Sequence, residues 1–296
     1  MPQPDRPQTA VPEGEPLSDA ALSRRDCLSA AAAAALGYTL AAGPVRAAAI
    51  RTDAEGLDAG LAKVTVPGGE MPVYFAKPQG AASPPIILVA MEVFGLHEHI
   101  KDVTRRLAKL GAFAVAPDYY FRLGDMTKIA DAGKLMTLVD SKPDSELLSD
   151  LDAAAGWAKA QGGDAGRLGI IGFCRGGRTV WLYAAHNPNL KAGVSFYGSL
   201  VDPKSAAMPQ SAFDLAPEVK APVLGLYGAQ DAGIPPNQVE AMRERLEAAG
   251  KTAAFKIYPG APHGFFADYR QSYRDEAARD AWQAMQAWLK KYGVLS

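Results

Sequence analysis

Leu168-Gly169-Ile170-Ile171-Gly172-Phe173-Cys174-Arg175-Gly176-Gly177 carries a short apolar run into a Gly-x-Cys-x-Gly turn, and Thr179 to His186 beyond it reads as a helix. Strand, sharp turn, helix is the pattern of a nucleophile elbow, with cysteine where serine usually stands. The geometry accounts for the glycines. A nucleophile on a strained turn brings the flanking backbone so close that side chains on either side of it would collide, and Gly172 and Gly176 remove that collision. The helix N-terminus then directs free N–H groups and a positive dipole end at the sulfur, which favours thiolate over thiol.

Outward from this stretch, apolar runs alternate with helical periodicity. Ala62–Val66 and Met71–Phe75 alternate around Pro67-Gly68-Gly69 and predict an antiparallel hairpin. Pro85–Ala90 is a continuous apolar run suited to a central strand, and a helix is expected from about Ile100 to Leu110. Phe113–Ala116 is the next strand. Met126–Ala160 carries two helical pieces divided near Lys142-Pro143. Ala192–Phe196, Pro222–Tyr227 and Ala253–Tyr258 complete the strands, with helices over Pro236–Ala249 and Arg274–Tyr292 and an irregular loop over Pro203–Pro217. The alternation predicts an α/β chain with a mostly parallel, doubly wound sheet, helices on both faces, and one domain over residues 50–296.

Residues 1–49 have a different character. A Pro-, Gln- and Glu-rich start leads to Ser23-Arg24-Arg25-Asp26-Cys27-Leu28, an Ala-dominated stretch to Ala42, and Val45-Arg46-Ala47-Ala48. A basic pair, a moderately apolar core and small residues at a cleavable site predict an export signal of the twin-arginine type, with a periplasmic destination. Cys27 stands where that motif usually carries a large apolar residue. Removal near Ala47 changes a formal charge of −1 to a balance of 27 basic and 27 acidic residues. Cys27 and Cys174 are the only two cysteines, so the shortened chain holds a single thiol and no internal disulfide. No basic block suggests nucleic acid, no stable membrane span is expected in the shortened chain, and a monomer is expected.

In a doubly wound sheet, functional groups gather just past the carboxyl ends of the strands. Cys174, Asp231 and His263 occupy such places in the chain order nucleophile, acid, histidine. His263 lies between Pro262 and Gly264, a context that presents a side chain as base. Asp231 read alone would be a turn aspartate. His186 reads as a surface or capping residue, and His97 and His99, in the loop after the Ala90 strand, as pocket lining with no base role required. Glu92 reads by default as a surface carboxylate, yet its loop is the one placed to supply a second oxyanion donor. The backbone N–H groups of Val93 and Arg175 are the expected pair. No metal-ligand cluster, phosphate loop or dinucleotide fingerprint occurs in the sequence, so no cofactor or metal is expected.

The chain resembles the dienelactone hydrolase (carboxymethylenebutenolidase) family of the α/β-hydrolase superfamily from about Val64 to Leu289. The resemblance rests on Glu92-Val93-Phe94-Gly95-Leu96, Ala116-Pro117-Asp118-Tyr119-Tyr120, Gly172-Phe173-Cys174-Arg175-Gly176-Gly177, Gly228-Ala229-Gln230-Asp231 and His263-Gly264-Phe265. It implies a Cys174, His263, Asp231 triad that opens an enol lactone through a thioester. It also implies that Glu92 helps to deprotonate the thiol when substrate arrives. The family's substrate-binding arginine has no counterpart, because Ala267 stands at its place. Tyr120, Arg122 and Arg270 are the candidate substrate contacts.

These residues suggest a cysteine-dependent hydrolase of small lactones or esters. A general carboxylesterase or small-amide hydrolase would use the same triad, and a non-catalytic binding protein could share the scaffold. The absence of a Cys-x-x-Cys pair counts against a redox enzyme. Expression with export and intact-mass analysis tests the signal: a mature chain beginning near Ala48 is expected, and one retaining Met1 to Val45 would refute it.

Overall fold

The computed structural model describes residues 51–296, so the expected export signal lies outside the described residues. Strands β1 (Leu57–Val66) and β2 (Gly69–Pro78) pair antiparallel, with Val66 opposite Gly69. Pro67 and Gly68 are left as a two-residue turn. Gly68 takes φ +88° there, a conformation that costs glycine little. Both strands run further outward than their hydrophobic alternation predicts. Val64, Val66, Met71 and Val73 are the residues the hairpin adds to the core.

Six further strands complete one sheet: β3 (Pro85–Ala90), β4 (Phe113–Pro117), β5 (Asp164–Phe173), β6 (Ala192–Phe196), β7 (Val223–Gly228) and β8 (Ala253–Tyr258). Their order is β1-β2-β4-β3-β5-β6-β7-β8, antiparallel as far as β4 and parallel from β4 to β8. β3, β4, β6 and β7 are buried along their whole length, which requires cover on both faces. Six helices supply it: α1 (Glu98–Lys109), α2 (Ala132–Asp140), α3 (Asp144–Ala160), α4 (Arg175–His186), α5 (Pro236–Ala248) and α6 (Asp275–Lys291). The architecture is the α/β-hydrolase fold. Among the described residues no helix is long and apolar enough to cross a membrane.

The sheet order places the site. From β3 the chain returns through α1 to β4 on one side, and β5 lies on the other side of β3. The loops after β3 and β5 therefore diverge, and a crevice opens between them at the carboxyl edge. Glu92 follows β3 and Cys174 follows β5.

One boundary differs from the sequence reading in a way that matters. α4 begins at Arg175 rather than Thr179, so Gly176 and Gly177 belong to its first turn. These glycines serve close approach. A Cβ on Gly176 would lie 2.1 Å from the Ala90 carbonyl oxygen, and one on Gly177 would lie 2.6 Å from the Gly198 Cα. The helix start is thereby pressed onto the ends of β3 and β6. Gly176→Ala should cost about 3 kcal/mol or more, because only backbone could yield. Thermal denaturation should show a fall of roughly 6–12 °C for a chain of this size.

Candidate active site

Cys174 takes φ +55° and ψ −118°, a conformation that non-glycine residues seldom adopt. Its N–H donates to the Phe196 carbonyl at 3.0 Å, and its own carbonyl accepts from the Arg178 N–H at 3.2 Å. The backbone is thus held from both sides, and the partly exposed thiol sits at the head of α4. A Cβ on Gly172 would lie 2.1 Å from the Gly176 carbonyl oxygen, so the predicted steric need for glycine is met there too. The Arg175 side chain turns away to Asp140, and Arg178 beneath it binds Asp144 and Asp202, each at 2.7 Å. Only the backbone of Arg175 is left for the site. Among the described residues, the N–H groups of Val93 and Arg175 have no acceptor within the protein.

His263 Nδ1 meets Asp231 Oδ2 at 2.7 Å. The other Asp231 oxygen accepts the N–H groups of Gly233 at 2.9 Å and Ile234 at 3.2 Å, which fixes the carboxylate plane. Burial alone would drive the His263 ring neutral. The Asp231 carboxylate, hydrogen-bonded to the ring, and the neighbouring Cys174 outweigh it and hold the ring well above its ordinary value. Cys174, His263 and Asp231, expected from strand ends far apart in the chain, are therefore brought together.

Glu92 is buried, not the surface carboxylate of the default reading. Its Oε2 accepts from His97 Nε2 at 3.1 Å and from the Tyr269 hydroxyl at 3.0 Å. Burial would raise its pKa, but the His97 hydrogen bond and the nearby Arg270 charge hold it well below the carboxylate range. Arg270 is itself buried, with its guanidinium 4.3 Å from the Phe94 ring centre and 4.6 Å from that of Tyr269. Arg122 is elsewhere. It binds Asp150 at 2.8 and 3.0 Å and the Pro67 carbonyl at 3.0 Å, so it ties the hairpin turn to α3. Tyr120 is buried near Cys174 and within reach of the Arg175 charge, and its hydroxyl has no partner among the described residues. His186 is an exposed partner of Asp152 at 2.7 Å. Among the described residues, no group of three or more His, Cys, Asp or Glu is placed to hold a metal ion.

Residues 71–293 match the dienelactone hydrolase family. A Methylorubrum extorquens protein provisionally named carboxymethylenebutenolidase is 52% identical over 276 residues, covering 92% of this chain and 94% of its own. A provisionally named carboxymethylenebutenolidase of Escherichia coli K12 is 48% identical, covering 87% and 96%. The chain belongs to the dienelactone hydrolase family. A Klebsiella pneumoniae structure provisionally described as a dienelactone hydrolase is 51% identical, with TM-score 0.78 over 80% of this chain and 99% of that one. The protein is a dienelactone hydrolase-like hydrolase.

Within this dienelactone hydrolase family member, sequence reasoning missed two side chains beside the site, Tyr197 and Tyr269, and the particular partner of a third, His97. Tyr197 follows β6, the same strand-end position that singled out Cys174 and Asp231, and could have been found that way. Tyr269 adjoins Arg270, and its only signal is that adjacency. His97, read as pocket lining, is the direct partner of Glu92.

Glu92→Gln should cost about 3–5 kcal/mol at neutral pH, because it leaves the buried Arg270 without its counter-charge. A carboxyl with a depressed folded pKa contributes stability fully above its unfolded value of about 4.5 and loses it as pH falls through the folded value. Chaotrope denaturation should therefore give the same wild-type advantage at pH 7 and pH 5, and a shrinking one below pH 4.5.

Proposed function

We propose that the protein hydrolyses small lactones or carboxylic esters through a thioester on Cys174. Cys174 is the nucleophile, His263 the acid and base, Asp231 the group that orients it, and Glu92 the aid to thiol activation. The observation that carries this reading is the Asp231–His263 hydrogen bond, with the ring close enough to Cys174 at the head of α4 to be perturbed by it. The sulfur attacks the carbonyl carbon, and the oxygen that becomes negative is taken by the Val93 and Arg175 N–H groups. The C–O bond breaks, and the imidazolium of His263 gives its proton to the leaving oxygen. His263, now neutral, takes a proton from water, whose oxygen attacks the thioester and restores the thiolate. In a lactone the leaving oxygen stays tethered to the acyl group and departs with it.

A specific observation favours the broader carboxylic-ester reading over enol lactones alone. Ala267 replaces the family's arginine, Arg122 is committed to Asp150, and the Arg270 charge is balanced by Glu92. Esters without a free carboxylate fit this arrangement. Export by the twin-arginine route is part of the proposal and rests on residues 1–49.

Hydrolysis of p-nitrophenyl acetate and of a dienelactone by wild type, Cys174→Ser and Cys174→Ala tests the reading. The wild type should give a burst equal to the enzyme concentration. Cys174→Ala should lose on the order of 10⁴-fold or more in kcat on both compounds. Full activity in Cys174→Ala would overturn the nucleophile assignment. Turnover of acetate alone would establish the broader ester reading.

A further inference from the structure

Tyr197 is fully buried, yet its hydroxyl has no hydrogen-bond partner among the described residues. An unpartnered buried phenol is costly unless something else uses it. Its backbone is held in an unusual state: φ is +39°, which bulky side chains avoid, while its N–H donates to the Leu226 carbonyl at 2.8 Å. Gly198, next in the chain, packs against the backbone of Gly177 in α4. The β6 end and the elbow together fix where this side chain goes. Its ring meets the His263 ring edge-on at 5.0 Å, and its hydroxyl lies within electrostatic reach of Cys174, Glu92 and Arg270.

Two unpartnered buried phenols thus lie near Cys174, and among the described residues only that of Tyr197 has a ring contact with His263. The Tyr120 ring packs edge-on against Tyr119 at 4.8 Å rather than against His263. Tyr197 belongs to the His263 side, where the leaving oxygen must lie to take the imidazolium proton. Resting on the thioester reading above, we propose that Tyr197 is a catalytic hydrogen-bond donor to the departing oxygen of the substrate. As the C–O bond breaks, its electron pair goes to that oxygen, the S–C bond is formed, and His263 delivers the proton. Tyr197 stabilises the developing charge through its O–H and keeps its own proton. Burial, with the charge of Glu92 beside it, raises the phenol well above its ordinary value, so it remains a donor across the working pH range.

A donor aimed at the leaving oxygen matters most when that oxygen is a poor leaving group. The test is a leaving-group series of aryl acetates, from p-nitrophenyl to phenyl, on wild type, Tyr197→Phe and Tyr120→Phe. Active sites are counted by the burst, so partial misfolding does not enter. For Tyr197→Phe, the loss in acylation rate on phenyl acetate should exceed that on p-nitrophenyl acetate by about tenfold or more, the value of one hydrogen bond to a developing charge. Tyr120→Phe, at a phenol whose ring does not meet His263, should show no such dependence on the leaving group. An equal loss across the series in Tyr197→Phe, or no loss at all, would overturn the assignment, as would the same steepening in Tyr120→Phe. A wild type that forms no acyl-enzyme would instead overturn the underlying thioester reading, and the two failures are told apart by the wild-type burst.

Discussion

The structure depends on backbone pressed against backbone where α4 meets β3 and β5. A Cβ on Gly172 would reach the Gly176 carbonyl, and one on Gly176 would reach the Ala90 carbonyl, each at 2.1 Å. No side chain of any kind fits either place. Because the first turn of α4 sits this low, Cys174 is forced into its positive φ and stands up at the helix head. The same contact brings the end of β3 beside the elbow. The Val93 and Arg175 N–H groups, neither of which has an acceptor among the described residues, come from the segments that this contact joins.

Around that fixed point, two acid and base couples are arranged in different ways. Asp231 and His263 are a hydrogen-bonded pair whose ring neighbours the sulfur, and the carboxylate holds that ring well above its ordinary value. Glu92 is surrounded by His97, Tyr269 and Arg270, so its negative charge is compensated by groups of its own rather than by the sulfur. A buried carboxylate without such partners would be protonated or driven to the surface. Glu92 remains charged beside the site because its counter-charge arrives from a loop far along the chain.

That distance explains what was legible in the sequence. The hairpin, β3, β7 and β8 could be read because a two-residue turn and unbroken apolar runs are local signals. Cys174, Asp231 and His263 could be read because each follows a strand end. Arg122 satisfies the same rule, yet Asp150 draws it to α3, and nothing local announces that pairing. The start of α4 was misplaced because Gly176 and Gly177 look like turn residues when the backbone that needs them is elsewhere in the chain. The burial of Glu92 depends on Arg270, and the setting of Tyr197 depends on β7 and α4 together. Both are properties of assembly.

The two backbone amides on Asp231 have a consequence for timing. With one carboxylate oxygen saturated by Gly233 and Ile234, the other has a single direction in which to hold the His263 ring. A ring gripped at Nδ1 by a carboxylate that cannot rotate has no second orientation to visit between half-reactions. In the mechanism proposed above, the nitrogen that releases a proton in the first half is then already in position to collect one in the second, with no ring flip between the two events.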